Sequence, residues 1–228
     1  MNKALWILAS SIHMMRHICT MQDLDYMFID LEHSSYSYSE LISLIEIIRS
    51  HQKRSCIRLA GLQRELILHS IELNPDTIMI PSISKSDQVA RAIDYFYTLP
   101  VGSRGFSPYT YHSINATKTS KIIKTELCLQ LESKEALERI SIFNRPGLVN
   151  SVFVGRYDLA RSCGEDMESP GFMSLLCQIS IELKSYGLTT GTVCLNQEEY
   201  SQLSDCYDFV SIGSDVTRML ESSRPFMI

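Results

Sequence analysis

The chain contains no Cys-x-x-Cys pair, no Gly-x-Gly-x-x-Gly and no Gly-x-x-x-x-Gly-Lys-Ser/Thr motif. The first absence argues against a structural zinc ribbon or a dithiol redox centre. Seven cysteines are present, an odd and dispersed set that reads as reduced, buried thiols rather than a disulfide framework. The other two absences weaken dinucleotide-binding and P-loop readings. No window approaches the roughly 18–20 apolar residues of a membrane span. "ALWILAS" follows Lys3 but is too short for a secretory leader, and the "SIHMMRHICTMQ" after it has helical rather than cleavage-site character. A cytoplasmic protein without membrane contact is expected. Positive charge is not in excess either. With 21 Lys+Arg against 26 Asp+Glu, the net charge of -5 offers no general attraction to a phosphate backbone, so nucleic acid is not an expected partner.

What the chain does have is apolar material in a regular order. Hydrophobic residues make up 45% of 228, enough for one large core, and the length suits a single α/β barrel domain over residues 1–228. Buried-type strands are predicted at 4–10, 26–31, 55–60, 76–81, 126–132, 149–155, 188–194 and 208–213. Between them lie segments with helical spacing, such as Leu41, Leu44, Ile45 and Ile48 after Ser39, and Val89, Ala92, Ile93 and Phe96 after "SKSD". Strict alternation implies parallel strands joined by right-handed crossovers. Eight such units predict closure into a (β/α)8 TIM-type barrel. The polar, turn-rich stretch 100–122 reads as a functional loop or lid.

In such a barrel, chemistry sits at the C-terminal ends of the strands. The second run ends in Asp30, Glu32 and His33, and the third carries Arg58. The fifth ends in Gln130 and Glu132, and the sixth in Gly155 and Asp158. The "VGSRGF" loop is expected to add Arg104. Glu132 and Asp158 could cradle a hard divalent cation such as Mg²⁺, which takes oxygen ligands and keeps waters. The bland alternative makes both of them helix N-caps. Taken alone, a histidine beside a strand such as His33 is more often a hydrogen-bonded structural residue than a catalytic one. Arg58 must be paired or face a ligand if it is buried.

The run "LDYMFIDLEHSSYSYSEL" resembles the strand-two signature of the HpcH/HpaI aldolase/citrate-lyase family. The resemblance continues through "CIRLA", "IELNPDTIMIPSISKSDQVARAI", "PVGSRGFSPYT", "CLQLES" and "VNSVFVGRYDLARSCG", with a weaker echo in "YDFVSIGSDVTRML". It implies a metal-dependent class II aldolase that makes or breaks carbon–carbon bonds through a pyruvate enolate. On it, Glu132 and Asp158 match the carboxylates that hold Mg²⁺ or Mn²⁺, and His33 matches the catalytic base. Arg58 matches the arginine that steadies the keto oxygen, Glu72 an aspartate that partners the histidine, and Gln130 a neighbour of the metal site. The amides of 155–158 match those that receive the pyruvate carboxylate. The implied partners are a 2-oxo acid, of pyruvate or oxaloacetate type, and an aldehyde. A homo-oligomer is also implied.

The chain departs from that pattern. "GPAD" reads "GRYD", so Arg156 and Tyr157 are expected to border the substrate and to narrow or re-charge its pocket. Ser34 replaces a glycine, and Glu72 is one methylene longer than the usual aspartate. The segment before "CLQLE" and the C-terminus are both short. Two other readings stay open: a related enolate-forming condensation in siderophore or surface-sugar biosynthesis, and a non-catalytic barrel that only binds. None of the predicted strand cores holds a lysine, so metal-dependent chemistry is preferred to a Schiff base.

Overall fold

Each of the eight apolar runs forms a strand. The computed structural model describes residues 1–107 and 125–223, so most of the expected loop at 100–122 and the terminal "RPFMI" lie outside the described residues. The strands are β1 (Asn2–Ile7), β2 (Tyr26–Asp30), β3 (Arg54–Arg58), β4 (Thr77–Ile80), β5 (Glu126–Leu131), β6 (Ser151–Val154), β7 (Thr189–Val193) and β8 (Phe209–Ser214). They pair in parallel in chain order, and β8 returns to β1 to close the barrel. This is the (β/α)8 architecture that the alternation predicts.

The α-helices among the described residues are α1 (Ile12–Ile18), α2 (Tyr38–Ser50), α3 (Arg64–Glu72), α4 (Ser86–Phe96) and α5 (Lys134–Glu138). They continue with α6 (Arg156–Cys163), α7 (Pro170–Ser185), α8 (Gln197–Leu203) and α9 (Asp215–Ser223). The N-cap of α2 is Ser37, two residues before the expected Ser39. Ser37 accepts the Glu40 amide, and the Glu40 carboxylate in turn accepts the Ser37 amide at 2.8 Å, which completes a capping box.

Two cores result from strand alternation. Outward-facing residues such as Ile29, Ile57, Ile78 and Leu129 pack with the helices in one cluster. Trp6, Phe28, Met79, Phe153 and Phe209 fill the barrel interior in another. Gly191 makes room for the second core, since a Cβ there would stand 2.1 Å from the Phe209 ring. The same inward parity carries β2 through Tyr26 and Phe28 to Asp30, and β3 through Cys56 to Arg58. The chemistry at the mouth is therefore a continuation of the apolar interior.

The cysteine expectation needs one correction. Cys177 on α7 and Cys206, just ahead of β8, form a disulfide across 29 positions. Helix packing brings the two together, and no spacing rule in the sequence announces it. No helix among the described residues is long and apolar enough to cross a membrane.

Candidate active site

Asp30 ends β2 almost fully buried, at 1% exposure. Its carboxylate accepts two hydrogen bonds from Arg58, from Nε at 2.9 Å and from Nη2 at 2.6 Å. Arg58 Nη1 stands 3.1 Å from Glu32, and the guanidinium lies over the Trp6 ring, 4.4 Å from its centroid. Asp30 Oδ1 also accepts the Glu32 amide at 3.0 Å, which bends the chain so that His33 follows at the rim. The His33 side chain is exposed, with Nε2 4.0 Å from Glu32. Two guanidinium N–H groups are thus hydrogen-bonded to Asp30 and Nη1 is ion-paired with Glu32, which leaves donors for a ligand oxygen.

Across the mouth, Glu132 follows β5. Its Oε1 accepts the amide and the hydroxyl of Ser82 at 2.7 and 2.9 Å, and its Oε2 accepts from Gln130 Nε2. Ser82, just beyond β4, holds a left-handed backbone (φ 59°) that aims both of its donors at this carboxylate. Burial raises the Glu132 pKa, and the neighbouring carboxylates of Glu32 and Asp158 push the same way against the Ser82 hydrogen bonds. Gly155 allows the close approach of β6, because a Cβ there would meet Gln130 Nε2 at 2.7 Å and Glu132 Cβ at 3.0 Å. Neither acid caps a helix as its main task. Ser133 caps α5 and Gly155 occupies the N-cap of α6, so neither carboxylate is the N-cap of the helix beside it.

Two cavities meet here. An inner one of about 330 Å³ is bordered by Trp6, Arg58, Gln130, Gly155, Tyr157 and Asp158, among others. An outer one of about 720 Å³ is bordered by Glu32, Ser82, Glu132 and Arg161. His33 and Asp158 line both. Among the described residues no group of three or more His, Cys, Asp or Glu is arranged to hold a metal ion. The donor set is instead two carboxylates with neighbouring hydroxyls. That suits a hard cation that keeps its waters and takes the remaining oxygens from a ligand. The buried, unpartnered Oε1 of Gln130 beside Glu132 fits the same assignment, since it marks polar capacity not satisfied within the chain.

The family model for HpcH/HpaI aldolase/citrate lyase matches residues 3–222. The chain belongs to the HpcH/HpaI aldolase/citrate lyase family. A 2-dehydro-3,6-dideoxy-6-sulfogluconate aldolase of Pseudomonas putida is 23% identical over 214 residues, 90% of this chain and 83% of that protein. A 2-keto-3-deoxy-L-rhamnonate aldolase of Klebsiella pneumoniae is 24% identical over 219 residues, 92% of this chain and 82% of that protein. Among solved structures, an HpcH/HpaI aldolase/citrate lyase family protein from Burkholderia cenocepacia superposes with a TM-score of 0.87 at 19% identity, covering 99% of this chain and 92% of that one.

As an HpcH/HpaI barrel, the chain gathers His33, Arg58, Gln130, Glu132, Gly155, Tyr157 and Asp158 at one mouth. Three expected site residues stand elsewhere. Arg156 does not border the inner cavity. It is completely buried and pairs with Glu199 of α8 at 2.6 and 3.2 Å, so it does not re-charge the pocket. Glu72 closes α3 and borders a crevice with Tyr38, Ile42 and Arg49 on the outside of the barrel. A helix in a βα unit runs back toward the start of the next strand, so its last residue is carried away from the C-terminal mouth. The carboxylate beside His33 is Glu32. Arg104 follows α4 rather than β4, with Nε donating to the Phe96 carbonyl at 2.8 Å, and is displaced from the mouth for the same reason.

Ser82 and Trp6 belong to the site without having been expected there, and Asp30, expected at the end of the second run, proves to be the partner of Arg58. Asp30 and Trp6 had a readable signal, the two-residue parity of β1 and β2. Ser82 had none, because its left-handed backbone is set by its surroundings.

Proposed function

We propose that this HpcH/HpaI-family chain is a divalent-metal-dependent class II aldolase that cleaves or forms 2-oxo acids through a pyruvate enolate. The observation that carries the reading is that Arg58 on the inner cavity and Glu132 on the outer one are joined by His33 and Asp158, which border both. Glu132 and Asp158 would hold Mg²⁺ or Mn²⁺, which when bound supplies Lewis-acid stabilisation of negative charge on the keto acid. In the cleavage direction His33 takes the proton of the acceptor hydroxyl, and the carbon–carbon bonding pair moves toward the keto carbon. The remaining N–H groups of Arg58 would meet the oxygen on which charge develops. The Asp30 pair and the Trp6 ring hold that guanidinium in place before the reaction begins. Gln130 and the first amides of α6 would receive the substrate carboxylate. Among the described residues bordering either cavity there is no lysine, which supports this route over a Schiff base.

The test is proton exchange at the methyl group of pyruvate, followed by NMR with Mg²⁺ or Mn²⁺ present. Exchange that needs the cation and disappears in His33→Ala and Glu132→Ala supports the aldolase reading. No exchange with any divalent cation would instead leave a barrel that only binds. A panel of aldehydes offered with pyruvate then identifies the acceptor.

A further inference from the structure

The ion pair between Arg156 and Glu199 lies beneath the site and is not part of it. Arg156 is the first residue of α6, two positions before Asp158, and its side chain has no exposed surface. Its Nη1 donates to Glu199 Oε2 at 2.6 Å and to the Val193 carbonyl at 3.3 Å. Its Nη2 donates to Glu199 Oε1 at 3.2 Å and to the Met167 carbonyl at 2.9 Å. One guanidinium therefore joins the start of α6 to the end of β7, to the first turn of α8 and to the connection between α6 and α7. Glu199 is tied in turn to the β7–α8 loop, where its Oε2 accepts the Leu195 amide at 2.8 Å.

Such a pair is poor value as a source of stability. Taking both charges out of water costs about as much as their attraction returns, and Arg156 Nε remains buried without a partner. What the pair does supply is direction. The start of α6 is held on one side by the Gly155 amide, which donates to the Leu131 carbonyl at 2.9 Å beside Glu132, and on the other by the Arg156 side chain. Asp158 itself is exposed to the cavities and stands half a turn further along the same helix.

We propose that the Arg156–Glu199 pair is a positioning device that sets Asp158 against Glu132 and so fixes the affinity of the mouth for a divalent cation. This rests on the reading of those two carboxylates as the cation's ligands.

Trp6 is the single tryptophan and borders the inner cavity together with Asp158, so quenching of its fluorescence by Mn²⁺ reports binding without turnover. Three variants are compared at a temperature where circular dichroism shows each to be folded: Glu199→Gln, Glu199→Asp, and the double variant Arg156→Met with Glu199→Leu. The first and third are expected to bind Mn²⁺ roughly ten-fold or more weakly, the scale typical of groups that orient a metal ligand. Glu199→Asp keeps the charge and should recover part of the affinity. The double variant removes both charges together, so it supplies a folded test even if Glu199→Gln unfolds. Wild-type Mn²⁺ affinity in the folded double variant, with only the melting temperature moved, would overturn the positioning role and leave the proposed function standing. Failure of the wild-type protein to bind Mn²⁺ would remove both.

Discussion

Arg58 and Asp30 are joined by two parallel hydrogen bonds of 2.9 and 2.6 Å at the inner edge of the mouth, with Asp30 almost wholly out of water. The pair decides what a substitution there does. Arg58→Ala leaves a buried, uncompensated carboxylate and should lower stability by about 3–5 kcal/mol. It should also remove the pyruvate exchange activity. Arg58→Lys keeps a point charge but not the planar fork. It should regain part of the stability while activity stays roughly 10²–10³-fold down. Urea titration and NMR exchange measure the two effects separately. A loss of less than 1 kcal/mol in Arg58→Ala would show that Asp30 is satisfied in some other way.

The raised pKa of Glu132 predicts opposite pH trends for cation binding and for metal-free stability. Binding needs the ionised carboxylate, so Mn²⁺ affinity should fall as pH is lowered, starting above the usual carboxylate range. Stability of the metal-free protein should respond to this group in reverse. Folding favours its protonated form, so the cost of burying its charge is relieved as pH falls through the folded-state pKa. Glu132→Gln should accordingly be no less stable than wild type at neutral pH without metal, while losing Mn²⁺ binding. Thermal melts and Trp6 quenching read the two outcomes.

Two glycine substitutions separate packing from site geometry. In Gly191→Ala the new methyl would stand 2.1 Å from the Phe209 ring inside the barrel, an overpacking that should cost about 1–3 kcal/mol and lower the melting temperature. In Gly155→Ala the methyl meets Gln130 Nε2 at 2.7 Å and Glu132 Cβ at 3.0 Å. The flexible end of Gln130 can yield, so the expected result is weaker Mn²⁺ binding with a smaller change in melting. The reverse ranking in melting would mean that the β6–α6 turn carries more of the fold than the interior ring does.

The Cys177–Cys206 bridge predicts five titratable thiols in the denatured, unreduced chain, those of Cys19, Cys56, Cys128, Cys163 and Cys194. Reduction should raise the count to seven. Closing a loop of 29 positions stabilises a chain by about 3–4 kcal/mol in the loop-entropy picture. Cys177→Ser should therefore melt lower than wild type by a corresponding amount. Peptide mapping that finds both cysteines free in the oxidised protein would contradict the pairing.

The residues at the mouth divide by how far the chain alone betrays them. His33, Arg58, Glu132 and Asp158 sit directly at the ends of apolar runs, and a parallel barrel must carry all such ends to one rim. Gln130 and Gly155 lie within the same short motifs and arrive with them. Glu72 ends a helix and Arg104 follows one, and such helices run back toward the opposite rim. Arg156 shares a motif with Asp158 two positions away, yet the helix turns the two side chains in different directions.

By itself the sequence determined the barrel, because eight buried runs alternating with amphipathic segments have few other ways to hide their apolar faces. It also determined which rim would carry the carboxylates, the histidine and the arginine, since strand polarity is common to every unit. Only the tertiary structure decided the pairings: Arg58 with Asp30, Arg156 with Glu199, Ser82 with Glu132, and Cys177 with Cys206. Each joins residues separated by 28 to 50 positions along the chain. Local propensity does not encode a distance of that kind; it exists only once the strands have closed and the helices have packed.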